Sequence, residues 1–363
     1  MHTLQATASS SISLPEGNYI YSLAAVSPTS LAAISSDDSL RAFDAANLGH
    51  VSVVAPNTHE GVTALKTYDA GQQVMATAGR DGKVKLWDLR NGGRLAVAME
   101  TSNGAPALSV ACSPETNSLV AGTELASSQA IVSFWDVRFA SAPSLQYVES
   151  HNDDVTELQY HPTRKNIVLS GSTDGLVNVY NTNITDEDDA LVQVINHGSV
   201  HHAGFLAERA IYALSHDEVF SIHPATDPDD EQTQEPEPVQ FGDLRQPLGC
   251  EYIAQLCGGS QGAYIAAGST TNHQLDLVPL VSDPSWRFDQ DNLWRLPGGH
   301  GEEIVRSVYV DEQSQSIFTC GEDGFVRAWK QGEGTGPGSG SGSGQEKKPK
   351  EKRGKEKGRY RPY

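Results

Sequence analysis

The chain has 363 residues, of which 38% are hydrophobic and 7% aromatic, and its formal net charge at pH 7 is −20. A chain of this length can bury a sizeable core, and the lack of any run of about 18 apolar residues argues against a membrane-spanning helix. The first residues lack the basic start and apolar core of a secretory signal, and the four scattered cysteines form no closely spaced ligand pair, so we expect an intracellular protein without structural zinc.

The first predicted element is a strand over residues 6–14, ATASSSISL, whose side chains alternate in polarity with the period of two that strands show. The same alternation recurs downstream in VTALKTY, ALSVACS, VTELQYH and VRSVYVD. Each of these segments is followed by a polar turn, a short apolar strand, Asp-Gly or a variant of it, and a third strand. No helical periodicity is present, so the pattern predicts an all-β chain.

An Asp that precedes an aromatic residue by six positions recurs along the chain. Four copies show this spacing: Asp37 and Phe43, Asp81 and Trp87, Asp174 and Tyr180, and Asp323 and Trp329. A histidine stands 22 or 23 residues before three of these Asp residues: His59, His151 and His300. Degenerate copies at 134–138, 203–223 and 263–280 complete seven units that lie about 42 to 55 residues apart. A period of this size indicates a repeat architecture.

These residues resemble the WD-repeat (WD40) family, and the resemblance covers residues 7–330. It implies a seven-bladed WD40 β-propeller over residues 1–332, in which a hydrogen-bonded His, Asp and Trp tie each blade together. A single unit cannot bury both of its faces, so the units must stack, and strand 6–14 should close the last blade beside FVRAWK. The expected structural anchors are His59, Asp81, Trp87, His151, Asp174, His300, Asp323 and Trp329.

Motifs for catalysis are weak or missing. GGSQG at 258–262 matches the G-x-S-x-G nucleophile elbow, but it lies between two predicted strands, so we interpret it as a flexible turn. No phosphate-binding loop, dinucleotide fingerprint or H-E-x-x-H metal motif occurs. We therefore predict a protein that is not an enzyme and that has no catalytic residues, no cofactor and no metal.

The loops that carry the blade histidines are acidic. The resemblance implies that these loops and the turns with the blade Asp residues share one face of the propeller, which we name the top face. Its candidate partner-binding residues are Glu60, Asp153, Asp154, Glu302, Glu303 and Glu322, with one of Asp37 or Asp38 beside them. A ring of negative potential would attract Lys- and Arg-rich segments, whereas the alternative interpretation is that these groups are only solvated.

The opposite face is expected to carry two further acidic loops, 181–190 and 225–240. The second is rich in Pro and poor in apolar residues, so we expect it to be disordered, and both loops either hold a basic client or favour solubility. An insertion at 281–300 contains Trp286 and Trp294, which serve either as binding anchors or as packing for the loop.

The C-terminal end differs sharply in charge from the rest. Residues 333–345 form a Gly/Ser-rich linker, and 346–363 form a basic tail that we expect to be disordered. Residues 345–363 carry nine Lys or Arg against three Glu, whereas residues 1–344 hold 17 basic and 43 acidic residues. The tail is typical of nuclear localisation signals and of RNA-contacting segments, and a further interpretation is that it folds back on the acidic propeller.

The sequence thus predicts an interaction scaffold whose acidic propeller binds a basic protein client, such as a ribosomal protein or a histone during escort or assembly. The tail could add an RNA contact. We expect a monomer or a member of a hetero-complex, without membrane contact. The expected location is the nucleus and cytoplasm, with the nucleus or nucleolus favoured. The alternative is a substrate receptor of a cullin-4 ubiquitin ligase. W-D-x-R occurs twice, ending at Arg90 and Arg138, and the motif resembles that of receptors which dock on the cullin-4 adaptor through this Arg.

Overall fold

The computed structural model describes residues 1–227, 235–259, 262–283 and 285–332. By its internal contacts the chain divides into two units, Met1–Gly332 and Glu333–Tyr363. The predicted linker and basic tail, the centre of the acidic loop 225–240 and the middle of the GGSQG segment lie outside the described residues.

The first unit is built from short strands that follow one another as antiparallel hairpins, after an initial strand β1 (His2–Ser10). Blade 1 contains β2 (Ile20–Ser27), β3 (Ser30–Ser35), β4 (Leu40–Asp44) and β5 (Val51–Ala55). Blade 2 contains β6 (Val62–Asp69), β7 (Val74–Gly79), β8 (Lys83–Asp88) and β9 (Arg94–Glu100). Blade 3 contains β10 (Ala107–Ser113), β11 (Ser118–Thr123), β12 (Val132–Asp136) and β13 (Leu145–Tyr147).

The second half of the unit continues in the same order. Blade 4 contains β14 (Val155–Tyr160), β15 (Ile167–Ser172), β16 (Leu176–Asn181) and β17 (Leu191–Asn196). Blade 5 contains β18 (Val200–Ala207), β19 (Ala210–Ser215), β20 (Val219–Pro224) and β21 (Val239–Asp243). Blade 6 contains β22 (Tyr252–Gly259), β23 (Gly262–Ser269), β24 (Gln274–Val281), β25 (Arg287–Phe288) and β26 (Trp294–Pro297). Blade 7 contains β27 (Val305–Asp311), β28 (Ser316–Gly321) and β29 (Val326–Gln331).

Helical segments in the described chain are single turns. The two α-helical turns are α1 (Glu187–Ala190) and α2 (Arg245–Leu248). The 3₁₀ turns are Leu89–Asn91, Ser102–Gly104, Pro114–Thr116, Val137–Phe139 and Gln290–Asn292. None of the helices in the described residues is long and apolar enough to cross a membrane.

The blades form a closed ring, because the first strand of each blade contacts the first strand of the next. The order of contact is β2, β6, β10, β14, β18, β22 and β27, and β27 returns to β2. An apolar cluster fills each of the seven boundaries between blades in the described unit. Between blades 1 and 2, for example, Ile34 and Leu40 pack with Val62 and Leu65. The fold is therefore the all-β propeller that the repeats predict, in which each sheet is covered on both faces by its neighbours.

Strand β1 completes blade 7 from the other end of the chain. It runs antiparallel to β29, from Leu4 opposite Gln331 to Ser10 opposite Val326. The sequence pattern predicts this strand over residues 6–14, but it spans His2–Ser10. The strand ends early because Ile12 (φ 47°) and Ser13 (φ 62°) turn the chain toward β2.

Strand β1 also joins blade 7 to blade 6, because its first residues pair in parallel with β26, His2 with Trp294 and Thr3 with Arg295. Blades 6 and 7 therefore share one nine-stranded sheet, whereas each of the other five blades is a separate four-stranded sheet. The outer edge of blade 6 is divided between two short strands, because β25 and β26 pair with different halves of β24. The sequence pattern does not predict this divided edge.

Candidate functional site

Blades 2 and 7 are each tied by a chain of hydrogen bonds that starts at the predicted tryptophan. In blade 2, Trp87 Nε1 donates to Thr77 Oγ1 at 2.8 Å, and His59 Nε2 lies 2.8 Å from the same oxygen. Because the indole N–H can only donate, the Thr77 hydroxyl accepts from Trp87. His59 Nδ1 lies 2.8 Å from Asp81 Oδ1, and since a carboxylate only accepts, the neutral ring carries its proton on Nδ1 and accepts from Thr77 at Nε2.

Blade 7 repeats this chain with Trp329, Thr319, His300 and Asp323, and the His300–Asp323 distance is 2.7 Å. Burial lowers the pKa of His59 and of His300 and outweighs their Asp partners, which raise it. Both rings are therefore neutral at pH 7. These groups form a buried structural network rather than an accessible acid–base pair.

Blade 4 has a modified version of the network, whereas blade 3 lacks the tryptophan hydrogen bond. In blade 4, His151 contacts Asp174 at 3.0 Å and Ser170 at 2.6 Å, while the Tyr180 hydroxyl replaces the indole at 3.3 Å from Ser170. In blade 3, Trp135 Nε1 is buried without a hydrogen-bond partner in the described chain. Its missing acceptor is explained by the register, because Ala121 occupies the position that Thr77 occupies in blade 2.

The His–Asp contacts bring each histidine loop and the neighbouring Asp turn to the same face, which is the predicted top face. Glu60, Glu302 and Glu303 are exposed there, and Asp153 and Asp154 are partly exposed. The histidine loops belong to blades 2, 4 and 7, so the carboxylates form separate groups around the ring rather than one contiguous patch. Asp153 and Asp154 are held by backbone amides, since Asp154 Oδ1 accepts from the Leu125 N–H at 2.8 Å and Asp153 Oδ1 from the Asp154 N–H at 2.9 Å.

The remaining top-face carboxylates differ in how far their charge is offset. Glu322 pairs with Arg306, whose Nε donates at 2.8 Å, so its negative charge is partly neutralised. Asp37 likewise pairs with Arg41 at 2.7 Å. Asp38 instead accepts from the Gly61 and Val62 amides, which fixes it beside Glu60. Within the described residues Glu60, Asp153, Asp154, Glu302 and Glu303 form no ion pair, so no basic side chain there offsets their charge.

A charged network crosses the central channel below the top face, and the sequence patterns did not single it out. Glu157 of blade 4 contacts Lys66 of blade 2 at 3.6 Å and His202 Nδ1 of blade 5 at 3.0 Å. Contacts between blades that are not adjacent must cross the ring. Although burial opposes ionisation, Lys66 and then His202 lower the pKa of Glu157.

The His202 ring has an acceptor at each nitrogen, because its Nε2 lies 3.2 Å from the Ala254 carbonyl of blade 6. Glu157 and His202 each stand two residues after the buried Val that begins the first strand of their blade, Val155 and Val200. An alignment of the repeats by first strand would therefore have shown these two residues at one position.

The W-D-x-R arginines lie on the connections of the opposite face. Arg90 and Arg138 each clamp the Asp two residues earlier, at 2.9 Å and 2.6 Å, and their side chains are 47% and 60% exposed. Phe139, next to Arg138, is 72% exposed. These residues belong to blades 2 and 3 and do not contact the top-face carboxylates.

The other segments named from the sequence are integrated into the fold. In loop 181–190, Glu187 accepts from the Val148 and Ser150 amides at 2.6 and 2.7 Å, so this loop packs against the blade 3–blade 4 boundary. Trp286 packs against the apolar cluster between blades 5 and 6, and Trp294 lies within β26. No group of His, Cys, Asp or Glu able to hold a metal ion occurs in the described residues.

The comparisons with known proteins agree with this geometry. The profile of the WD domain, G-beta repeat family matches residues 51–88, 143–181 and 292–330. An uncharacterized WD repeat-containing protein of Saccharomyces cerevisiae is 35% identical over 301 residues, which cover 78% of this chain and 75% of the relative. An uncharacterized WD repeat-containing protein of Schizosaccharomyces pombe is 33% identical over 298 residues, which cover 79% of this chain and 88% of the relative. The WD repeat-containing protein 89 homolog of Dictyostelium discoideum is 28% identical over 50% of each chain.

Proposed function

The chain belongs to the WD-repeat family, and from this premise we propose that it is a protein-interaction scaffold whose top face binds a basic protein client. The observation that carries the proposal is a set of five top-face carboxylates that form no ion pair with the residues the structure describes: Glu60, Asp153, Asp154, Glu302 and Glu303. Carboxylates that are not neutralised internally attract cationic segments and speed their encounter.

The chemistry favours clients that carry a high positive charge and that need shielding from nucleic acid, which are the properties of ribosomal proteins and histones. We therefore propose escort or assembly of such a client, within ribosome biogenesis or an equivalent process, in the nucleus or nucleolus. The acidic body would compete with phosphate backbones for the client until its delivery. The basic tail is proposed to contact RNA.

The test is affinity capture from native lysate with the intact chain and a charge-reversed variant that carries Lys at the five carboxylates. A control variant with the same change in net charge carries Lys on the opposite-face connections, at Asp44, Asp69, Glu208, Asp283 and Asp291. We expect one basic ribosomal protein or histone to be captured by the intact chain and the control, to be released by salt, and to be lost only with the top-face variant. Equal capture by all three proteins would contradict the proposal.

A second candidate is a substrate receptor of a cullin-4 ubiquitin ligase, which is favoured by the exposed Arg138 and Phe139 on the opposite face. In that case the same experiment would capture the cullin-4 adaptor. Capture would survive the top-face reversal and would be lost with Arg90→Ala and Arg138→Ala.

A further inference from the structure

A cavity of about 680 Å³ opens between blades 6 and 7, on the face opposite the top face. Blade 6 supplies one wall and blade 7 the other, while β1 contributes Leu4 where it joins the two blades. The apolar lining consists of Leu4, Tyr264, Leu277, Trp294, Val310 and Ile317. The mouth is formed by the turn between β27 and β28, residues 311–316.

The cavity exists because the strands around it are too short to fill the space between the blades. Strand β26 pairs with β24 only from Gln274 to Leu277, and β1 pairs with β26 through two residues. The opening is thus a consequence of the divided outer edge of blade 6.

The mouth of the cavity carries more negative than positive charge. Asp311 Oδ1 accepts from the Gln313 N–H at 3.0 Å, and the Ser314 hydroxyl donates to Oδ2, so this carboxylate is held in place by its own turn. Glu312 and Tyr264 both line the cavity, and burial and then the charge of Glu312 raise the pKa of the Tyr264 phenol. Among the described residues that line the cavity, Asp311 and Glu312 carry carboxylates and Lys330 carries an ammonium group.

The aromatic wall is also held in place before any ligand arrives. Trp294 stacks on His2 with 4.9 Å between ring centroids, and its backbone pairs with both β1 and β24. Such a wall can receive an apolar side chain without first being ordered, which reduces the entropic cost of binding. A volume of this size suits one or two large side chains rather than a folded domain.

We propose that this cavity, the blade 6–blade 7 pocket, is a peptide-binding site that takes an aromatic or long aliphatic side chain flanked by Lys or Arg. The apolar walls bury the side chain, and Asp311 and Glu312 at the mouth face the flanking cations. The site lies away from the top face and does not depend on the function proposed above.

The test measures binding of fluorescein-labelled pentapeptides to the full chain by fluorescence anisotropy. The probes are Lys-Arg-Phe-Arg-Lys, the same peptide with Gly in place of Phe, and Glu-Asp-Phe-Asp-Glu. We expect the Phe-containing cationic peptide to bind about tenfold or more tightly than the Gly peptide, because only the former buries a ring. The acidic peptide should not bind.

Variants of the pocket provide the second half of the test. Val310→Trp fills the cavity and should abolish the preference for Phe over Gly. Asp311→Asn keeps the turn acceptor but removes the charge, and should weaken binding about threefold to tenfold. The matched control is Asp69→Asn, at the same strand end in blade 2, where Asp69 Oδ1 accepts from the Gln72 N–H at 2.9 Å. This control should bind like the unchanged protein.

Equal affinity of the Phe and Gly peptides, or an unchanged Phe preference in Val310→Trp, would overturn the proposal. If Val310→Trp shows no cooperative unfolding transition, the variant is misfolded and its binding is not used. The affinities of Asp311→Asn and Asp69→Asn for the Phe peptide are then compared, and equal affinities overturn the proposal. The top-face charge-reversed variant should retain the Phe preference, and loss of that preference would reassign the binding to the top face.

Discussion

A single hydroxyl group satisfies two buried polar side chains in blade 2. Thr77 accepts from Trp87 Nε1 and donates to His59 Nε2, both at 2.8 Å, and its side chain is fully buried. Thr77→Val keeps the shape but leaves two buried groups unpaired, so we expect a loss of about 2–4 kcal/mol in the free energy of unfolding. Urea-induced unfolding measures this loss.

The matched variant is Thr77→Ser, which retains the hydroxyl as Ser170 does in blade 4. It removes only a methyl group and should cost about 1 kcal/mol or less. A loss in Thr77→Ser as large as that in Thr77→Val would show that packing, and not hydrogen bonding, gives Thr77 its importance.

Neutral buried histidines make the stability of the propeller depend on pH. Burial lowers the pKa of His59 and His300, and also that of His201 to about 3. The unfolded chain therefore binds protons on these rings at pH values where the folded chain does not, and the free energy of unfolding falls as the pH drops through about 6.5. Calorimetric Tm values measured from about pH 8 to about pH 5.5 should decrease by several degrees. A Tm that is constant or rises on acidification would contradict this prediction.

Residue roles could be predicted from the sequence only where a spacing repeats. The pairs His59–Asp81 and His300–Asp323 follow from the repeat and are hydrogen-bonded as expected. Thr77 and Thr319 were not singled out, because an isolated hydroxyl in an apolar strand carries no pattern until its neighbours in space are known. The ion pair of Glu322 with Arg306 was missed for the same reason, since it depends on the direction of two side chains.

At the scale of elements, closure of the ring depends on β1. Its side chain Leu4 is 3% exposed, and the strand pairs with β29 from Leu4 to Ser10. Deletion of residues 1–14 should expose the edge of β29 and lower the Tm by roughly ten degrees or more, because blade 7 loses its outer strand. A synthetic peptide of residues 1–14 added at high concentration should restore part of the loss.

A peptide with Leu4→Asp is the control for this experiment and should not restore the Tm, because it places a charge at a buried position. Restoration by both peptides would mean that the stabilisation is not specific to β1 pairing. Calorimetry of the shortened chain with each peptide gives the comparison.

The order and number of strands could be predicted from alternation and turn spacing, whereas strand limits could not. The backbone turn at Ile12 and Ser13 breaks a pattern that alternates regularly in sequence. The pairing of β1 with β26 joins residues almost 300 positions apart, and the divided edge of blade 6 follows from the insertion at 281–300. Contacts of such long range leave no trace in local periodicity, so the blade 6–blade 7 pocket was not predicted either.

At the scale of the whole molecule, net charge sets how stability responds to salt. Residues 1–344 carry 43 acidic and 17 basic residues, so the folded chain repels itself. Raising NaCl from about 20 mM to about 300 mM shortens the screening length and should raise the Tm by a few degrees. The top-face charge-reversed variant has a smaller net charge and should show a smaller rise. A Tm that falls with salt would mean that surface ion pairs outweigh the repulsion.

The pairing of β1 with β29 affects how the chain folds during its synthesis on the ribosome. Strand β1 is synthesised about 300 residues before its partner β29. At roughly 5–20 residues per second, this delay lasts about 15 to 60 seconds, during which up to six blades exist without a closed ring. The first and last blades therefore expose unpaired edges to the crowded interior of the cell, and translation speed and nascent-chain chaperones become part of how this propeller reaches its final form.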